Sequence, residues 1–234
     1  MKNLLLVAAT EFEIAPLLKW LETIKAPETN LKFSFPELEV SVLLTGVGLP
    51  LAMFQLTRAL TIARYDLVIN AGIAGALDKQ LELGAVVQVV SETFADLGVE
   101  EADGSFTDLF KLNLINPVAP PFQDGKMVNT FGSAYDFLPK VHGITVNKVH
   151  GYAPSIDNLK RHTNAKVESM EGAAVFYTCL MYQMPFLEIR SISNYVEPRN
   201  RDAWEIPLAI ENLNEVLIDV LKNMLAGLLE NRYE

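Results

Sequence analysis

The chain has 234 residues, enough for one α/β domain of ordinary size with a sizeable core. Half of the residues are hydrophobic and 21% are charged, which excludes an intrinsically disordered chain. A formal net charge of -10 argues against a binder of nucleic-acid backbones, because such proteins need clustered Lys and Arg to displace counterions.

In chain order, MKNLLLVAAT carries a short apolar run that leads straight into an acidic segment, so it reads as a first buried strand rather than a signal peptide. EFEIAPLLKWLETI places Ile14, Leu17, Leu18 and Leu21 on one face of a helix. LEVSVLLTG is a second strand, and LPLAMFQLTRALTIARY spaces Leu51, Phe54, Leu60 and Ile62 at roughly helical steps. DLVINAG, AVVQVVS, GITVNKV and FLEIRSIS follow as further strands. Most of these runs are continuous rather than alternating, as expected for strands covered on both faces. Residues 97–141 break the rhythm with EEADGS, INPVAPPF and DGK, and so long a connection is expected to be functional or to form an interface. The closing DAWEIPLAIENLNEVLIDVLKNMLAGLLE reads as a long helix that Pro207 starts or kinks. Alternating strands and helices give an α/β fold, with helices on both faces of a mostly parallel sheet, in one unit spanning residues 1–234. The single Cys179 rules out a disulfide within the chain and reads as a small buried hydrophobe. No run reaches the roughly 18 apolar residues of a membrane span, so a cytoplasmic protein without a membrane partner is expected.

Ligands of open α/β sheets collect beyond the carboxyl ends of the strands, which directs attention to the polar residues there. In AATEFEI, Glu11 and Glu13 open a helix, where carboxylates commonly serve the macrodipole and the cap, and at i and i+2 at most one faces a site. The Gly46-Val47-Gly48 turn in LLTGVGLP fits a close backbone approach to a ligand as well as a tight turn, and it lacks the full dinucleotide fingerprint. In INAGIAGAL, Gly72 and Gly75 follow a buried strand and are open to the same two readings. In VESMEGAAVF, Glu168 and Glu171 precede an apolar helix; a carboxylate there needs partners if buried, and the vicinal hydroxyls of a sugar are suitable donors. Asn194, at the end of FLEIRSIS, either caps a turn or reads a group that presents both a donor and an acceptor.

Taken together, the acidic helix start, INAGIAGAL, ESMEGAA and the polar strand end after RSIS resemble the nucleoside phosphorylase and nucleosidase superfamily. Within it, TVNKVHG, ESMEGAA and SNYVEPRNRDAW make the chain most similar to the futalosine hydrolases. The resemblance implies a single three-layer αβα domain with a mixed central sheet, and cleavage of a purine N-ribosidic bond by water. It implies that Glu13 activates that water, that Met170 lies against the sugar and that Glu171 holds its 2′ and 3′ hydroxyls, with Glu168 a neighbour and Glu11 a second-rank base. Ile73, Ala74 and Gly75 are expected in the pocket wall, Ile73 standing where relatives often place a serine. Relatives stack the base on an aromatic residue, for which the counterparts here are Val149, His150 and Tyr152. Adenine-releasing relatives carry an Asp at the position of Asn194, and an amide there favours a 6-oxopurine leaving group. Such a reaction passes through an oxocarbenium-like transition state that requires an oriented water, a clamped sugar and a stabilised leaving base.

Arg199 and Arg201 read first as surface charges, yet an arginine fork also suits the aryl carboxylate of futalosine. A methylthioadenosine-type nucleosidase, a phosphorylase using phosphate in place of water, and a nucleoside-binding protein without catalysis are the competing readings. No cofactor or metal is expected, since His142, His150 and His162 have no partner at ligand spacing. Relatives are typically dimers or larger, and a homo-oligomer is expected.

Overall fold

The computed structural model describes residues 1–27, 31–131 and 137–230. Its helices are α1 (Glu11–Ile24), α2 (Leu49–Ile62), α3 (Ala153–His162), α4 (Gly172–Met181) and α5 (Ile206–Glu230). The long strands are β1 (Lys2–Ala8), β3 (Leu38–Leu44), β4 (Leu67–Ala76), β5 (Val86–Phe94), β10 (Lys140–Thr145) and β12 (Phe186–Tyr195). Short strands complete the set: β2 (Lys32–Ser34), β6 (Gly98–Glu100), β7 (Phe106–Asp108), β8 (Phe122–Gln123), β9 (Lys126–Val128) and β11 (Val167–Ser169).

The sheet is mixed. β3, β1, β4 and β12 run parallel as successive neighbours, as do β5, β10 and β11. Antiparallel pairs join β12 to β5 and β11 to β4, so β4, β12, β5, β10 and β11 close into a ring. The open sheet expected from the apolar runs therefore curls shut at one end. Ser193 is the extra residue of a bulge in β12, and the β10–β5 register shifts between Val141 and His142; such irregularities add the bend that closure needs.

Successive residues of β1 point to opposite faces. Leu4, Leu6 and Ala8 join the core under α1 and α5, while Leu5 and Val7 join the one formed with α2 and α4. Burial on both sides explains the continuous apolar runs, each fully buried side chain contributing about 1.5–3 kcal/mol. Ile14, Leu17, Leu18 and Leu21 of α1 are all buried, as their spacing predicts. On α2 the spacing misleads: Leu51, Phe54 and Ile62 are exposed, and the helix packs on α4 through Ala52, Leu56, Ala59 and Leu60. Its alanines permit a close approach beside Leu56 and Leu60, and Leu51, Phe54 and Ile62 are left facing solvent.

Two boundaries differ from expectation. β4 continues through Gly72 and Gly75, and β12 continues through Asn194, so these residues are strand and not turn. Pro207 lies in the first turn of α5 and starts that helix, where its missing N–H is harmless. Residues 97–141 contain the β6–β7 hairpin and the β8–β9 hairpin that docks on β5, while residues 132–136 of that stretch lie outside the described residues. Among the described residues, no helix is long and apolar enough to cross a membrane.

Candidate active site

α1 begins directly after β1, with Thr10 at its N-cap and Glu13 in its first turn. The Glu13 carboxylate turns back on the cap: Oε2 accepts from the Thr10 N–H at 3.1 Å and from its hydroxyl at 3.0 Å. Oε1 accepts the N–H of Ile73 at 3.2 Å, which ties α1 to β4. Pro16 has no N–H for the carbonyl four residues earlier and its ring crowds that carbonyl, loosening the turn. Buried Asn214 of α5 bridges the loosened turn, accepting from the Leu17 N–H at 3.0 Å and donating to the Glu13 carbonyl at 2.9 Å. Glu11 is exposed and has no part in this arrangement.

Glu171 is the N-cap residue of α4, and its Oε1 accepts the N–H of Gly48 at 2.8 Å. Gly48 has φ of 103°, a conformation that a side chain would strain, so the glycine turn serves to aim this N–H at Glu171. Burial raises the Glu171 carboxyl above its ordinary range, while Arg190 and the Gly48 N–H pull the other way. Glu168, on β11, receives the His150 N–H at 3.3 Å and pairs with His150 Nδ1 at 2.7 Å. Asn194 follows the β12 bulge, its Oδ1 accepting from the Ser193 hydroxyl at 2.8 Å and its Nδ2 donating to the Tyr195 carbonyl at 3.0 Å. One amide hydrogen and one acceptor lone pair remain for a ligand.

These residues converge on one cavity of about 300 Å³. Glu13, Glu168, Met170, Glu171 and Asn194 line it, with Ile73, Ala74, Gly75, Val149 and His150 forming part of its wall. Thr10, Phe12, Val47, Ser193 and Trp204 also face it, and the spacing of apolar residues gave no sign of them. Gly72 and Gly75, read as either turn glycines or a close approach for a ligand, also make room for protein groups: a Cβ on Gly72 would run into the Arg190 guanidinium, and one on Gly75 would lie 3.2 Å from Asn194 Nδ2. Tyr152 is 71% exposed and outside the cavity. Arg199 and Arg201 do not line it either; Arg199 lies over the ring of Trp204 at 5.3 Å, and Arg201 sits in an exposed 3-10 turn.

Beneath the cavity lies a cluster that the motifs did not single out. Arg190 and Glu188, two apart on β12 and so on one face, are 1% and 0% exposed and joined by Arg190 Nε donating to Glu188 Oε1 at 2.8 Å. Buried Glu92 accepts from the Thr145 hydroxyl at 3.0 Å. Glu92 Oε1, Glu188 Oε2 and Arg190 Nη2 meet no hydrogen-bond partner among the described residues. Burial first, and the neighbouring Glu188 second, push the Glu92 carboxyl well above its ordinary range. Burial works against the Arg190 charge, but Glu188, Glu171 and Glu13 together hold its guanidinium ionised. Two charged residues inside FLEIRSIS were the available signal for this cluster.

The sequence matches the model of the phosphorylase superfamily over residues 3–226. It is 36% identical over 157 residues to a futalosine hydrolase of Streptomyces coelicolor, a match spanning 65% of this chain and 64%, just under two thirds, of that relative. A futalosine hydrolase of Acidothermus cellulolyticus is 34% identical over 177 residues, covering 74% of this chain and 71% of the relative. The solved futalosine hydrolase of Helicobacter pylori superposes with a TM-score of 0.75 at 17% identity, covering 95% of this chain and 98% of that one, a likeness of fold.

Proposed function

The chain belongs to the phosphorylase superfamily, and from that premise we propose that it is an N-glycosyl hydrolase that cleaves futalosine, releasing hypoxanthine and dehypoxanthine futalosine in menaquinone biosynthesis. The observation that carries this reading is the convergence of Glu13, Glu171 and Asn194 on one cavity. In the proposed mechanism Glu13 orients and deprotonates water at C1′, its carboxylate held by Thr10 and Ile73. Glu171, fixed by the Gly48 N–H, accepts from the ribose hydroxyls, and Met170 packs on the sugar. Arg190, beneath the cavity, favours the ionised form of Glu171 against the effect of burial, so that its carboxylate can accept from the ribose hydroxyls. Asn194 meets the 6-oxopurine edge, with Val149 and His150 beside the base and Ile73, Ala74 and Gly75 as wall.

Arg199 reaches the substrate's aryl carboxylate, in this reading, from its place over Trp204, with Arg201 the alternative. The helices are read as flanking layers of a three-layer αβα domain extending over residues 1–234 and working in the cytoplasm. The exposed Leu51, Phe54 and Ile62 of α2, continuing from Val47 at the cavity, are proposed as a homo-oligomer contact.

The test is incubation with futalosine, aminodeoxyfutalosine, methylthioadenosine and inosine, with and without phosphate, following the freed base. Release of hypoxanthine from futalosine without phosphate is expected. A strict phosphate requirement would make the protein a phosphorylase, equal turnover of adenine and hypoxanthine substrates would overturn the role given to Asn194, and binding without turnover would leave a nucleoside-binding protein.

A further inference from the structure

Breaking the C1′–N9 bond leaves an electron pair on the departing purine, which leaves faster when it receives a proton. Asn194 has no proton to give, because its amide does not act as an acid. The cavity holds a group that does. His150 lines it together with Asn194, and its Nδ1 pairs with Glu168 Oε2 at 2.7 Å, the two side chains being 14% and 4% exposed. With Nδ1 and the backbone N–H both bound to this carboxylate, Nε2 is the ring nitrogen left for a ligand.

On the reading of the protein as a hypoxanthine nucleosidase, we infer that His150 is the general acid of the reaction and that Glu168 is its positioning residue. Imidazolium Nε2 gives its proton to N7 of the purine as the C1′–N9 bond breaks, and the electron pair of that bond ends on the purine ring. Water adds its oxygen to C1′ and gives a proton to Glu13. The products are neutral hypoxanthine and the free sugar, and the proton on Glu13 returns through solvent to His150. Glu168 holds the ring in place and stabilises its charge, as carboxylate partners of catalytic histidines do.

The test compares His150→Phe, which keeps a ring for stacking but has no proton, with His150→Gln, Glu168→Gln and the double variant His150→Phe/Glu168→Gln. Each is assayed on inosine or futalosine and on 4-nitrophenyl riboside, whose phenolate leaves without protonation, and each is checked by melting temperature. Both His150 variants are expected to lose about a hundredfold or more in kcat on the hypoxanthine nucleoside, with KM little changed, while the nitrophenyl rate is retained. Glu168→Gln is expected to show the same substrate-selective loss, and the double variant no loss beyond His150→Phe alone. Equal loss on both substrates, multiplying losses in the double variant, or a kcat for His150→Phe within about threefold of wild type would overturn the inference. Wild-type protein that releases no hypoxanthine sinks the nucleosidase reading and this inference with it; wild-type activity with an equally active His150→Phe sinks the inference alone.

Discussion

Five buried glutamates gather at one end of the sheet, and they form two groups. Glu13, Glu168 and Glu171 face the cavity, and each accepts at least one backbone N–H. Glu92 and Glu188 lie beneath it, share Arg190, and each keep a carboxyl oxygen that no hydrogen bond meets among the described residues. The same side chain therefore serves two purposes. Backbone donors favour the ionised form of the carboxylates at the cavity, whereas burial raises both carboxyls of the lower pair and the Arg190 guanidinium opposes that rise.

The largest expected effect tests the upper group. Glu13→Gln keeps the shape of the side chain and removes the proposed base, so kcat for hypoxanthine release should fall by about 10²–10⁴ with little change in melting temperature. Arg190→Met tests the lower group: two buried carboxyls lose the counter-charge that Arg190 gives them, and denaturant unfolding should show a loss of about 3–5 kcal/mol. A variant with unaltered stability would mean that the pair is not held by charge.

Asn214→Leu removes the bridge that holds the first turn of α1, leaving the Glu13 carbonyl and the Leu17 N–H without their partner. Stability should drop by about 1–3 kcal/mol, and kcat should fall while KM stays nearly constant, because the displaced group is the one proposed to act on water rather than on binding. Asn194→Asp adds a carboxyl to the upper group, and the ratio of kcat/KM for adenine over hypoxanthine nucleosides should rise about tenfold.

Glu92→Gln should have the smallest effect, and its sign depends on pH. The folded-state pKa of Glu92 lies above its ordinary 4.5, so between the two values the folded protein binds more protons than the unfolded chain. Wild-type stability therefore falls as pH rises through that window, and Glu92→Gln does not share the loss. The variant should match wild type below pH 4.5 and gain on it as pH rises above that, read from unfolding curves across the range. A variant that loses ground with rising pH would show that Glu92 works as an anion.

The legible parts of the sequence were those with local physical signals. The face of α1 could be read from its spacing because burial on one side repeats every turn, and strands covered on both sides showed as unbroken apolar runs. A polar residue beside an apolar run draws attention to Glu11, Glu13, Glu168, Glu171 and Asn194, and the family resemblance selects Glu13, Glu171 and Asn194 among them. On α2 the same logic held for Leu60 alone: small alanines share the buried face, and Leu51, Phe54 and Ile62 point outward. Arg199 and Arg201 stand out in the sequence by their charge, and neither is in the cavity wall, Arg199 lying over Trp204, which is.

By itself, then, the sequence determined the α/β class, the six long strands, the helices α1, α2, α4 and α5, and the inventory of groups available for chemistry, because backbone propensity and burial act over a few residues. The tertiary structure decided which group each carboxylate meets: Ile73 is 60 residues from Glu13, Gly48 is 123 from Glu171, and Asn214 is 201 from the carbonyl that it supports. It also decided that Asn194 sits within a bulged strand and that His150 closes on Glu168. Hydrogen bonds are directional and short, and between elements so far apart in the chain their partners are set by packing, which leaves no periodic trace in the order of residues.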